Sequence, residues 1–254
     1  MSKIWFLSFS LFAMSAAYAN EDLKNDTEIE VPSPWNSQVE LGYQAHSGNT
    51  DSESLNSRVK TEYITGRHRT NGEWKLYRLD KNGKENKRQA NYSLQSDYKL
   101  ASKAYLYANF NGVDSKYSAY FKDYTLSGGM GYQLMNTDIL LLEIEIGPGF
   151  RYQKPNLDEI SSTDIVFANT VEEVIFRGNL KGVWATFDNL TISSELTLVA
   201  GESNIRTDSE LILTNHITDS IALKVNLSRQ YHDKVPAGLS KADSVTSFSL
   251  QFRF

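Results

Sequence analysis

Cysteine is absent from all 254 residues of the sequence. This absence excludes thiol catalysis, thiolate zinc sites, disulfide bonds and a lipid anchor attached to a cysteine. An exported chain without disulfides has to be held together by hydrogen bonds and burial alone. A large barrel meets that condition, whereas a small domain stapled by disulfides does not.

Long hydrophobic runs and an excess of basic charge are also missing. Mean hydropathy is −0.43, and no stretch of eighteen apolar residues occurs in the chain, which excludes membrane-spanning helices. The formal net charge is −5, and the sequence has no basic footprint for nucleic acid. We therefore expect no nucleic-acid partner.

The first residues have the composition of a secretory signal. A basic residue at Lys3 precedes a short apolar run, and the segment closes on the small residues Ala17 and Ala19. This order predicts a signal peptide over residues 1–19 with an A-x-A cleavage site, because the apolar run is too short to span a bilayer.

The segment after the predicted cleavage site is acidic and poor in apolar residues, and it closes on two prolines. It is predicted to be a flexible periplasmic leader over residues 20–36. From residue 37 to residue 254 the dominant pattern has period two. Alternating segments of about ten residues separated by turn residues are typical of a transmembrane β-barrel.

The connections between these segments alternate between tight turns and longer polar loops. The tight turns are predicted at Thr65 to Arg67, Leu100 to Ser102, Asn136 with Thr137, Asp188 with Asn189, and Thr218 with Asp219. The longer loops are predicted at Ser47 to Asp51, Lys81 to Asn86, Asp114 to Ser118, Lys154 to Ser162, Glu202 to Asn204, and His232 to Lys241. This alternation predicts a closed antiparallel up-and-down transmembrane β-barrel of about twelve strands. The N-terminus and the C-terminus should both lie at the rim that carries the tight turns, and this rim should face the periplasm.

The last predicted strand is apolar on alternate positions up to its final residue. An aromatic side chain exposed to water at this position costs free energy, whereas its burial at a lipid interface is favourable. We interpret this strand as the signal that the barrel-assembly machinery reads, with periplasmic chaperones and outer-membrane lipid as the other expected partners. The residues of this assembly signal are Phe248, Leu250, Phe252 and Phe254.

Two stretches carry a resemblance to a known family. They are "LGYQAHSGNTDSESL", from Leu41 to Leu55, and "EIEIGPGFRY", from Glu143 to Tyr152. Both stretches, with the later "SELILTNHITDSIALKVNLS", resemble the YdiY-like, salt-induced outer-membrane protein family over essentially the whole chain after the leader. The resemblance implies an outer-membrane β-barrel and a link to osmotic or salt stress. It implies no reaction.

If the apolar residues face lipid, the opposite parity lines the lumen. The candidate lumen charges are Glu40, Arg58, Lys60, Glu62, Glu143, Glu145, Arg151, Glu195, Lys224 and Arg253. A buried charge is tolerated only when it is paired, so the near balance of sign favours a lumen closed by ion pairs over a selective pore. Arg151 follows two glycines in its strand, which indicate a bulge or a close backbone approach, and its expected partners are Glu143 and Glu145.

No pattern of catalytic or metal-binding residues emerges. The four histidines have no H-E-x-x-H spacing, and no G-x-S-x-G occurs. We predict no catalytic residue, no metal and no cofactor. A narrow solute channel and an envelope protein are the leading functions. A barrel enzyme acting on lipid and a soluble periplasmic β-barrel binding protein stay open as alternatives, as does the oligomeric state.

Overall fold

All regular structure in the described part of the chain is β-strand. The computed structural model describes residues 33–46, 52–116, 120–156, 169–234 and 241–253. Within these ranges the strands are β1 Trp35–His46, β2 Ser52–Thr65, β3 His68–Lys81, β4 Lys84–Lys99, β5 Ala104–Ser115, β6 Tyr120–Asn136, β7 Leu140–Pro155, β8 Val171–Phe187, β9 Leu190–Ala200, β10 Ile205–His216, β11 Ile221–His232 and β12 Ala242–Arg253. The described residues include no helix that is long and apolar enough to cross a membrane.

The strands form a closed antiparallel barrel in which each strand pairs with its neighbours in the chain. Closure comes from β1 and β12, which pair from Gln38 opposite Arg253 to Leu41 opposite Leu250. The prediction of a closed up-and-down barrel of twelve strands is therefore confirmed. These two strands pair over four residues, and this pairing closes the ring, which is the form of sheet that can span a membrane.

The predicted boundaries need two corrections. The first strand begins at Trp35, two residues inside the predicted leader, because Trp35 pairs with Tyr63. The predicted loop from Lys81 to Asn86 is only a two-residue turn, since β4 begins at Lys84. Asn82 and Gly83 both have positive φ, 48° and 72°, and an Asn-Gly pair of this kind closes a tight hairpin.

Other predicted features lie outside the described residues. They are the signal peptide, the leader up to residue 32, the Ser-Gly-Asn-Thr turn at residues 47–50 and the last residue of the assembly signal, Phe254.

The glycine-rich parts of β6 and β7 form a close backbone contact rather than a break in the strand. A Cβ atom on Gly129 would lie 2.1 Å from the carbonyl oxygen of Ile146, and one on Gly147 would lie 2.2 Å from the carbonyl oxygen of Gly128. Strand β7 runs through this point without interruption. The sequence indicated either a bulge or a close backbone approach at these glycines, and the structure shows the close approach.

Candidate functional site

The barrel has a polar interior and an apolar exterior. On β7, Glu145 and Arg151 are buried inside, at 5% and 0% exposure, whereas Ile146 and Phe150 on the outer face are about half exposed. A protein folded in water has the reverse distribution, because apolar surface is what burial removes from water. The apolar belt, as we call the outer face, includes Leu41, Leu94, Leu126, Met130, Ile146, Phe176, Leu223 and Phe248. A contiguous apolar face of this kind indicates contact with lipid.

Three groups of charged side chains cross the interior. The central network consists of Glu40, Arg58, Glu73, Lys75, Glu210 and Lys224. In this network Lys75 on β3 lies 2.9 Å from Glu210 on β10. These strands are five positions apart in the ring, along β3, β2, β1, β12, β11 and β10, and six is the largest separation that twelve strands permit. The ion pair therefore joins nearly opposite walls.

The other charged residues of the central network form ion pairs beside the Lys75–Glu210 contact. Arg58 donates two hydrogen bonds to Glu73, at 2.8 and 2.5 Å. Lys224 lies 2.5 Å from Glu40, and these two residues are 184 positions apart in the sequence. Hydrogen bonds between ionised partners are the strong ones, and two of them from one guanidinium also fix its orientation.

The second network is centred on two glutamates of β7. Arg69 on β3 donates to Asp97 at 2.8 Å and lies 3.4 Å from Glu143 on β7. Arg177 on β8 lies 2.8 Å from Glu145. Neutral donors add to these ion pairs: Gln95, Tyr105 and Gln133 each donate a hydrogen bond to one of the two glutamates. This β7 network consequently ties β3, β4, β5, β6 and β8 to one strand.

The third network lies at the end of the lumen opposite the chain termini. Arg151 donates to Glu173, to the hydroxyl of Ser203 and to both oxygens of Asn204. Ser203 and Asn204 belong to the four-residue link between β9 and β10 and are 5% and 1% exposed. The sequence predicted a polar loop at Glu202 to Asn204, and the structure shows in addition that this link folds inward. We call this group, with Asp123, Gln153 and Arg206, the mouth network.

Arg206 connects the mouth network across the lumen. It lies 2.6 Å from Asp123, and the two strands involved, β10 and β6, are four positions apart in the ring. Asp123 also accepts a hydrogen bond from Gln153 at 2.9 Å. Three separate places in the lumen are thus bridged by ion pairs that join distant strands.

The expected partners of Arg151 were wrong. The sequence placed it beside Glu143 and Glu145 on the same strand face, but its carboxylate partner is Glu173, which lies directly opposite on β8. Six residues separate Glu145 from Arg151, and a strand rises about 3.3 Å per residue. Those carboxylates are consequently about 20 Å away along the strand, beyond the reach of one side chain.

A comparison with family models gives a match over residues 39–254, to the family described as "Protein of unknown function, DUF481". The chain belongs to this family. A curated relative, "Uncharacterized protein YdiY" of Escherichia coli (strain K12), is 24% identical over 97% of this chain and 94% of its own length. This result agrees with the resemblance carried by the Ser-Gly-Asn-Thr and Gly-Pro-Gly stretches.

Solved structures support the same architecture. An outer membrane channel from Pseudomonas putida F1 matches with a TM-score of 0.51 and 11% sequence identity, over 92% of this chain and 100% of that chain. At this identity the likeness concerns the fold alone. It shows the architecture of a closed β-barrel.

The predicted lumen charges divide into two sets. Six belong to the networks, namely Glu40, Arg58, Glu143, Glu145, Arg151 and Lys224. The other four form no ion pair within the described residues, namely Lys60, Glu62, Glu195 and Arg253. Arg253 lines a lumen cavity but is exposed at the rim.

Sequence reasoning missed several charges that the networks use. They are Arg69, Glu173, Arg177, Arg206 and Glu210. All five follow the inward parity of their strands, so the alternation itself could have found them. Their partners could not have been found in this way, because several partners lie on strands distant in sequence.

Space remains between the networks. Three cavities of about 250, 100 and 280 Å³ are all lined by Lys60, Lys181 and Glu195. Within the described residues no cluster of histidine, aspartate and glutamate has the arrangement of a metal site. What the lumen offers chemically is therefore charge and hydrogen bonding around cavities that each have room for several water molecules.

Proposed function

We propose that this barrel resides in the bacterial outer membrane after export through a cleaved signal peptide. The apolar belt supports this location, because a belt of this kind costs free energy in water and is stabilised in lipid. The same belt argues against a soluble periplasmic binding protein. The outward residues of β12, including Phe248 and Leu250, are 71% and 42% exposed. We propose that they form part of the surface that assembly machinery recognises.

Inside the membrane, we propose a narrow passage for small solutes that excludes large ones. The observation that carries this proposal is the Lys75–Glu210 ion pair, which joins nearly opposite walls. Barrels of about eight strands are filled by side chains, whereas barrels of about sixteen hold an open aqueous channel. Twelve strands leave a lumen of intermediate width, and the three networks reduce it to cavities of about 100 to 280 Å³.

Single-channel recording in planar bilayers tests this function. The wild-type chain should give a conductance well below that of a porin, because the ion pairs occupy the cross-section. The double variant Lys75→Ser with Glu210→Ser keeps the net charge but removes the contact that crosses the lumen. We expect its conductance to be larger than that of the wild type.

The matched control removes an ion pair that does not cross the lumen. Arg78 lies 2.8 Å from Asp80 on the same strand, and the guanidinium is half exposed. The variant Arg78→Ser with Asp80→Ser should therefore conduct as the wild type does. A porin-sized conductance in the wild type, or an equal response of both double variants, would contradict the proposal.

The link to osmotic or salt stress comes from the family resemblance and stays a prediction. An enzyme acting on lipid is the alternative function. No arrangement within the described residues favours it over a passage, so we propose no catalytic role.

A further inference from the structure

Lys60 on β2 and Lys181 on β8 differ from seven other cations of the lumen interior. Neither forms a hydrogen bond or ion pair with another described residue through its ammonium group. Seven other interior cations each have a carboxylate oxygen within 4 Å, namely Arg58, Arg69, Lys75, Arg151, Arg177, Arg206 and Lys224. Since an unpaired interior charge is costly, its retention points to a function rather than to stability.

The two lysines lie on opposite walls. Strands β2 and β8 are six positions apart in the ring of twelve, which is the largest separation. Both side chains nevertheless line the same three cavities. The two lysine side chains therefore border the same narrow space from its two sides.

The carboxylates next to these lysines are already engaged. In the strand register Lys60 lies opposite Glu73, which is bound by Arg58 and Lys75. Lys181 lies opposite Glu143, which is bound by Arg69.

On its other side Lys181 lies opposite Glu195. Glu195 accepts a hydrogen bond from Asn179 and has no ion pair within the described residues. The cavity on the side of the chain termini is lined by five lysine or arginine side chains and two glutamates, so positive charge is in excess there.

We propose that Lys60 and Lys181 form an anion-selective constriction, a place where small inorganic anions bind and pass between two opposed ammonium groups. This inference rests on the passage proposed above and names the solute class that it admits. Rings of basic side chains select anions and phosphate in pores. Neutral hydrogen-bond donors add to the site. The cavity on the side of the chain termini, of about 250 Å³, is also lined by Gln38, Thr214 and Gln251.

The reversal potential in a KCl gradient tests the selectivity. The wild type should prefer chloride over potassium. The double variant Lys60→Gln with Lys181→Gln should lose most of this preference, and Lys60→Glu with Lys181→Glu should reverse the sign of the reversal potential. Lys122→Gln is the matched control, since Lys122 is exposed on the outer face beside Tyr124 and its loss should change nothing.

A second measurement does not require conduction. The unfolding temperature of the full chain in detergent is followed as inorganic phosphate replaces chloride at constant ionic strength. Phosphate should stabilise the wild type and the Lys122→Gln control, because a ligand that binds the folded state raises its stability. The effect should disappear in the Lys60→Gln with Lys181→Gln variant.

The two measurements separate this inference from the passage itself. If the protein conducts but the double glutamine variant keeps the wild-type selectivity, the constriction is wrong and the passage stands. If the protein does not conduct, the proposed passage is wrong, and the phosphate measurement alone then tests whether the two lysines bind an anion. A phosphate effect that is absent from the wild type, or that persists in the double variant, would overturn it.

Discussion

At the scale of single residues, Arg151 shows how a charge is held inside this barrel. Its side chain is fully buried, and its guanidinium nitrogens donate to Glu173, Ser203 and Asn204. Glu173 in turn accepts hydrogen bonds from the backbone and the hydroxyl of Ser203. Removal of one member would leave the other charge without compensation, which is the costly case for a buried ion pair.

Replacing this arginine should accordingly be expensive. We expect Arg151→Ala to lower the free energy of unfolding by about 3–5 kcal/mol, the usual cost of breaking a buried ion pair. Urea unfolding of the chain in detergent or lipid measures this change. Arg253→Ala removes the same side chain from the exposed rim and should cost less than about 0.5 kcal/mol. Equal costs for the two variants would show that the mouth network does not stabilise the barrel.

The sequence predicted the direction of such residues but not their partners. Period two alone puts Arg151 inside, because a strand alternates its faces at every residue. The partner depends on the register with β8, where Arg151 lies opposite Glu173. Register is set by pairing between strands, so a single strand's pattern does not contain it.

At the scale of elements, β6 and β7 are joined by a contact that only glycine permits. Ser127 pairs with Gly149, and Met130 pairs with Ile146. Between these pairs the backbones approach so closely that a Cβ atom on Gly147 would lie 2.2 Å from a carbonyl oxygen. The glycines are therefore required for the close approach of the two strands.

This contact gives a prediction with a matched control on the next strand. Gly147→Ala should destabilise the barrel by about 1–3 kcal/mol, because the added methyl group would overlap backbone atoms. Gly178 on β8 pairs with Ile146, and a Cβ atom there meets nothing within 4 Å. Gly178→Ala should be neutral or stabilising by up to about 1 kcal/mol. Urea unfolding compares the two variants, and equal tolerance would contradict the close contact.

Element count was predictable, whereas the character of some connections was not. Twelve strands follow from the alternation, and the structure has twelve. The link at Asn82 and Gly83 was assigned to a longer polar loop, although Asn-Gly is a strong hairpin signal. The inward fold of the β9–β10 link could not be read from its own residues, since it depends on Arg151 and Glu173.

At the scale of the whole molecule, the barrel reverses the polarity of a protein folded in water. The parity of the sequence predicted this reversal, because the same alternation assigns apolar side chains to one face and charges to the other. It did not predict which charges would bridge the lumen. Lys75 and Glu210 are 135 residues apart and meet only because the barrel closes.

Tryptophan fluorescence in brominated lipid tests the central claim, that the apolar belt faces lipid, most directly. Trp74 lies near the middle of β3, whereas Trp35 and Trp184 lie near the end that carries the chain termini, and all three are exposed on the outer face. A mature chain that keeps only Trp74, the variant Trp35→Phe with Trp184→Phe, is reconstituted in bilayers brominated deep in the acyl chains. Strong quenching of Trp74, and weaker quenching in a variant that keeps only Trp184, is the predicted result. Fluorescence of Trp74 unchanged by the brominated lipid would contradict the account.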